Sequence, residues 1–282
     1  MGAYIGESYL RKLVVFYIPL FMFLAGMLFP FYWMLITSVK ADSELYSAQS
    51  VPFLVSHVTA DHWIYLFKDT LFLRWAWNTL FIATLSTALS LIAGTLAGYS
   101  LARLRFPGAS TFGISIFVTY LVPPTLLFIP LADVVSDLGL YDSPWALIFT
   151  YPTFLVPFST WLLMGYFATI PKELEECARI DGATRLQAMV KVVLPLGLPG
   201  LLSAGIFSFT LSWNEFLYAL VFISSPDQKT IPVGVVSELI KGDVFFWGSL
   251  MAGALFGSVP VAIVYSFFVE HYVSGITGAV KG

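Results

Sequence analysis

The chain has 282 residues, of which 58% are hydrophobic and 11% charged, and its mean hydropathy is +0.84. Soluble domains carry about 25% charged residues, so this chain lacks the polar side chains to cover a water-facing surface and reads as one integral membrane bundle. A formal net charge of -3 gives no basis for binding nucleic acid, and the single Cys177 excludes an intrachain disulfide.

A spanning helix needs ~20 mostly apolar residues. Six windows meet this in chain order: about Leu13 to Ser38, Trp75 to Ala102, Ser110 to Ala132, Ser143 to Ala168, Leu194 to Ser224 and Phe245 to Val273. The first follows Arg11-Lys12, lacks a small-residue cleavage site and is expected to be retained. The runs are continuous rather than alternating, and an open sheet edge has no partners in lipid, so all six are expected to be helices. The fold class is therefore all-α, with six transmembrane helices and both termini on one side.

Prolines punctuate the spans. Pro123, Pro124 and Pro130 interrupt the third, Pro152 and Pro157 the fourth; Pro195 and Pro199 open the fifth, and Pro260 breaks the sixth. Each interior proline removes a backbone donor and kinks its helix. They read either as ordinary membrane-helix prolines or as the kinks of a bundle with a cavity. Gly94-x-x-x-Gly98 and Gly253-x-x-x-Gly257 allow close helix approach.

Lysine and arginine on short loops set orientation. With both ends cytoplasmic, the inner set is Arg11, Lys12, Arg103, Arg105, Lys172, Arg179, Arg185, Lys191 and Lys281. The outer set is Lys40, Lys68, Arg74, Lys229 and Lys241, so nine basic residues stand inside against five outside. The expected division is 1–74, holding the N-terminal tail, first span and outer loop, and 75–282, the core. Within the long outer loop, the DHWIYLF segment from Asp61 is expected to lie along the membrane interface.

Covalent chemistry has no obvious seat here. No GxxxxGK[ST] loop and no HExxH occurs, and His57, His62 and His271 are scattered. No catalytic residue and no metal site is expected. Cys177 stands among carboxylates, surroundings that do not activate a thiol.

The longest polar interval is Pro171 to Pro195, PKELEECARIDGATRLQAMVKVVLP. Pro171 suits a helix start, and Glu173, Glu175 and Glu176 follow where the helix dipole favours anions. Leu174, Cys177, Ala178 and Asp181 share a narrow face. Asp181-Gly182 ends that helix, and Thr184 with Gln187 forms a capping box for a second. Two readings stand: a helix–corner–helix that transmits a push, or an amphipathic helix on lipid headgroups.

Inside the fifth span lie Trp213, Asn214 and Glu215. A charged carboxylate at the bilayer centre costs roughly 2.5–3.5 kcal/mol on insertion scales, so Glu215 is expected to face the bundle interior or water. It reads either as a translocation-path group, with Trp213 or Phe216 offering an aromatic face, or as an anchor between helices. Asn78, near the outer end of the second span, is a candidate of the same kind.

Glu176-Cys177-Ala178, Gly182 and Val192-x-Leu194-Pro195 resemble the EAA signature of ABC importer permeases. Cysteine replaces alanine at 177 and valine replaces isoleucine at 192, both small changes. The Ile180–Thr184 run is similar to that family too. Ala97–Gly108, Trp213–Phe216 and the ending Gly278–Gly282 resemble its maltose-type, carbohydrate branch. The resemblance implies a type I ABC importer permease of a bacterial inner membrane, pairing with a second homologous permease. Two cytoplasmic ATPase subunits would use ATP and Mg, with no cofactor in this chain, and an extracytoplasmic binding protein would deliver a carbohydrate. It implies a coupling role for Glu176, Cys177, Ala178, Asp181, Gly182, Ala183, Leu194 and Pro195. The competing classes are a secondary transporter or channel, expected to show inverted repeats, and a membrane scaffold without a path.

Overall fold

A computed structural model describes the backbone of residues 9–279 and the side chains of residues 11–267. His271 and the whole Gly278–Gly282 motif fall outside the described side chains. The chain forms two compact units. One takes the chain up to Thr70 with Ser237–Phe256; the other takes Leu71–Val236 with the chain from Gly257.

The first unit begins with α1 (Tyr9–Lys12), a π-turn at Leu13–Tyr17 and α2 (Ile18–Val39). Two short helices follow, α3 (Asp42–Leu45) and α4 (Asp61–Lys68). The loop between them is pinned from inside. Lys40, 3% exposed, donates to the carbonyls of Val51 (3.0 Å) and Pro52 (3.2 Å) and pairs with Glu44 at 3.5 Å. Glu44 in turn accepts from the Ser56 and His57 backbone N–H groups. The expected interfacial segment is α4, but His62 and Leu66 are buried, and a side chain at Gly248 would collide with the His62 ring. Part of this segment is therefore core rather than interface.

The second unit carries α5 (Phe72–Arg103), α6 (Ala109–Leu121), α7 (Pro124–Asp137), α8 (Pro144–Thr150) and α9 (Pro152–Thr169). Next come α10 (Lys172–Ile180), α11 (Arg185–Ala188), a π-turn at Met189–Val193, α12 (Leu194–Leu196), α13 (Leu198–Trp213) and α14 (Leu217–Phe222). The helix α15 (Ile231–Leu239) leads to a two-stranded hairpin, β1 (Ile240–Lys241) against β2 (Val244–Phe245), and then to α16 (Trp247–Ala279). The hairpin and α15 were not anticipated from sequence, because no polar–apolar alternation is long enough to mark them.

By length and composition four helices can cross a membrane, and six can if each of two bent pairs is one span. The third expected span is such a pair: α6 and α7 meet at 97°. Consecutive prolines explain it. Pro123 and Pro124 lack N–H groups, and Val122, forced extended at ψ 122, ends α6. The fifth is the other pair, with α13 starting only after a 77° bend at Gly197. A Cβ on Gly197 would stand 2.7 Å from the Phe167 ring, so only glycine allows this corner to seat. The fourth span stays whole as Pro144–Thr169, with Ser143 capping its start.

Helices α5, α9 and α13 form the centre of this unit. A Cβ on Gly94 would lie 2.6 Å from Ser159 Cβ, so α5 and α9 touch backbone to backbone. Ser159 bonds Ser208 at 3.1 Å, and Ser86 bonds Ser212 at 2.9 Å, joining α13 to both. Interhelical bonds of this kind are worth only about 0.6 kcal/mol each in membranes. Close packing, not the hydroxyls, therefore carries the seam. A Gly94→Val variant is expected to lower stability by about 1–3 kcal/mol, read as a fall in melting temperature in detergent, whereas Ser208→Ala is expected to shift it little.

A loop contact closes the far side of this unit. Asp142, with φ 57, accepts from the backbone N–H groups of Ser224 (2.9 Å) and Ser225 (2.8 Å) and from the Ser225 hydroxyl. The Ser225 hydroxyl bond, then its N–H, hold the Asp142 carboxyl below its ordinary value of 3.8, with burial opposing and the Ser224 N–H adding to the lowering. A depressed folded value stabilises above pH 3.8 and is lost as pH falls through the folded value. The melting-temperature gap between wild type and Asp142→Ala is expected to be full near neutrality and to narrow below about pH 3.8.

Candidate functional site

The polar interval folds as two helices around a glycine corner. α10 starts after Pro171 and carries Glu173 and Glu175 in its first turn. At its end the Gly182 N–H bonds the Arg179 carbonyl (3.1 Å) and the Ala183 N–H bonds the Ala178 carbonyl (3.0 Å). This paired closure needs a left-handed residue, and Gly182 has φ +92. Gly182 thus has a local reason to be glycine, while Ala178 and Ala183 supply the backbone groups of the outer bond. Thr184 then caps α11 in a full capping box with Gln187, at 2.9 and 3.2 Å. Leu194 and Pro195 lie in α12, one turn before the Gly197 bend.

The corner stands out from its support. Glu176, Cys177, Asp181 and Gly182 are exposed, and among the described residues the Glu176 side chain has no partner. Leu174 is also exposed, Leu186 is 63% exposed and Ile180 is 84% exposed. The polar segment thus displays three apolar side chains on its exposed side. The half-buried residues of α10 are Glu175 and Ala178; of the narrow face Leu174, Cys177, Ala178 and Asp181, only Ala178 is among them. Below it, Met189 and Val193 pack with Tyr99, Leu163, Phe167, Ile170 and Ala204.

Sequence reasoning missed the contact that seats α10. The Tyr99 hydroxyl donates to Glu175 Oε1 at 2.5 Å, and Arg103 Nε lies 3.9 Å from Glu175 Oε2. Arg103 Nη2 also donates to the Ile170 carbonyl at 2.7 Å. The Arg103 side chain is 2% exposed. Removing one partner of such a buried pair costs about 3–5 kcal/mol.

The residues of the fifth span are accounted for differently. α13 stops at Trp213, and Glu215 spans the break before α14. Its Oε1 accepts from the Tyr218 N–H (2.8 Å), and its Oε2 from the Ala219 N–H (3.1 Å) and the Tyr151 hydroxyl (3.0 Å). The Tyr218 hydroxyl donates to the Pro124 carbonyl at 3.0 Å. The break of the third span, the break between α13 and α14, and Tyr151 at the α8–α9 junction of the fourth span therefore meet in one polar knot. Trp213 is buried and donates to the Gly257 carbonyl at 3.0 Å. Asn78, also buried, donates to the carbonyls of Asp227 (2.8 Å) and Lys229 (3.0 Å). Asn214 is exposed, with its amide on the Thr210 carbonyl at 2.9 Å. Among the described residues, no group of three His, Cys, Asp or Glu side chains could hold a metal.

A helical membrane chain with kinked spans and a displayed helical corner defines a transport permease. The chain belongs to the binding-protein-dependent transport system inner membrane component family, whose model matches residues 90–278. It is thus a multi-pass inner-membrane permease subunit, and ATP is hydrolysed by a separate chain. It is 37% identical over 270 residues to the inner membrane ABC transporter permease protein YcjP of Escherichia coli, covering 95% of this chain and 96% of that one. It is 38% identical to the sulfoquinovosyl glycerol transport system permease protein SmoH of Agrobacterium fabrum, covering 90% and 89%. It is 33% identical to the trehalose/maltose transport system permease protein MalG of Thermococcus litoralis, covering 90% and 92%. The fold matches a chain of a bacterial ABC transporter that imports alginate, with TM-score 0.80, 22% identity and coverage of 95% and 99%.

The knot makes a measurable distinction. Glu215→Ala leaves two backbone N–H groups and the Tyr151 hydroxyl without their acceptor, at about 1–3 kcal/mol per buried group. Purified Glu215→Ala is expected to melt well below wild type and Glu215→Gln between the two. Transport lost at an unchanged melting temperature would instead assign Glu215 to the substrate path.

Proposed function

We propose that this chain is one of two permease subunits of an ATP-driven importer for a carbohydrate. An extracytoplasmic binding protein delivers the substrate, and two cytoplasmic ATPase subunits supply the work from ATP and Mg. The sugars in the relatives' names support the substrate class. Nine basic residues against five support a cytoplasmic placement of both termini and of 171–195. The division at 74/75 then separates a tail, first span and outer loop from the permease core.

The observation that carries this reading is the displayed corner, with Glu176 unpartnered and Ile180 bare. Glu176, Cys177 and Asp181 face the ATPase, and Glu176 pairs with a basic residue there. Ala178, Gly182 and Ala183 shape the corner. Leu194 and Pro195 pass its displacement across the Gly197 bend into α13, switching access to the path. For the path, the exposed Asn214 is the group we assign to substrate contact, while Trp213, Glu215 and Asn78 hold the helices around it.

Co-purification of the tagged chain with an ATPase tests the assembly. Gly182→Asp tests coupling: nothing lies within 4 Å of a Cβ at Gly182, so the fold has room and only the backbone is strained. Uptake is expected to fall at least tenfold, as for a typical coupling energy, at undiminished membrane levels. Wild-type uptake in this variant would remove the coupling role.

A further inference from the structure

We propose that Glu175 is a positioning residue that ties the coupling helix to the end of the second span through Tyr99 and Arg103. The inference rests on the coupling role of α10 and extends it: α10 then moves α5 as well as α13. Tyr99 and Arg103 stand one helical turn apart on α5, and both are buried. Glu175 reaches them from the half-buried face of α10, with Oε1 on the Tyr99 hydroxyl at 2.5 Å. Arg103 also holds the chain leading into α10, donating to the carbonyl of Ile170, the residue that closes α9, at 2.7 Å.

The guanidinium is not saturated. Among the described residues its Nε and Nη1 have no hydrogen-bond partner, and Glu175 Oε2 stands 3.9 Å from Nε. Charge-assisted N–H···O bonds close to about 2.7–2.9 Å. The tie therefore has donors and distance in reserve, and pressing α10 inward shortens it. Adjacent carboxylates thus divide the work, Glu176 facing the partner and Glu175 facing α5.

The test uses the assembled complex of both permeases, the ATPases and the binding protein. Tyr99→Phe and Glu175→Gln complexes are expected to retain the ATPase and basal hydrolysis. Stimulation of hydrolysis by the binding protein is expected to fall about tenfold. The neutral pair Glu175→Gln with Arg103→Met is expected to recover part of the melting temperature lost by Glu175→Gln alone, since the Ile170 carbonyl loses its donor, but not the stimulation. Recovery of both by the neutral pair would reduce the contact to charge compensation and overturn the proposal, as would full stimulation in Glu175→Gln. Failure of the wild-type chain to retain the ATPase would instead sink the coupling reading itself.

Discussion

In hydrocarbon there is no water to bond a freed N–H or C=O, and each group left unpaired costs several kcal/mol. A chain that breaks its spans must therefore bring its own partners to the breaks. Glu215 does this for the fifth span. Its two oxygens take the N–H groups of Tyr218 and Ala219, which open α14 without intrahelical partners. The same carboxyl takes the Tyr151 hydroxyl at the fourth span, and Tyr218 passes on to Pro124 at the third. Two interruptions and the α8–α9 junction of the intact fourth span share one set of hydrogen bonds, so a shift in one bears on the others. This is how a bundle full of prolines keeps one arrangement.

Around that knot the helices divide into two kinds of contact. The α5–α9–α13 seam is backbone against backbone, set by Gly94 and by small hydroxyl residues. Interiors so close-packed resist deformation and move as units. Its other end is different. There Tyr99 and Arg103 of α5 reach α10 through a short polar contact with Glu175, and Met189 and Val193 pack beneath it. A stiff seam with one compliant polar attachment suits an element that receives a push and delivers it as rigid-body movement.

Much of this was legible in the sequence. Hydropathy marked every span, because a length of ~20 apolar residues is a strong constraint. The Pro171–Pro195 pattern gave the helix, the glycine corner and the capping box, since those signals are local. What escaped was non-local. The 97° and 77° bends depend on what a broken helix packs against, so Pro123-Pro124 and Gly197 announced a break but not its angle. Tyr99 and Glu175 are 76 positions apart, and no spacing rule joins them. Arg103 was read as an orientation charge at a span end, where its burial was invisible. The Glu215 alternatives stood level in the sequence because a path group and an anchor use the same side chain. Only the positions of the Tyr218 and Ala219 N–H groups tilt the balance.

The corner joins these two scales. Its inner face is fixed by the Glu175 contact and its outer face is left bare by Glu176, Ile180 and Leu186. Between Ala188 and Leu194 the chain widens into a π-turn before α12, a local deformation found often at functional segments. The Gly197 bend follows at once, with the Phe167 ring against it. A push on α10 therefore meets a soft π-turn, then a tightly packed corner, then the stiff seam of α13. On the proposed reading, compliance lies where the ATPase would dock and rigidity in the helices around the path. That order lets a small displacement at the surface be resolved into a switch of the whole bundle rather than dissipated along it.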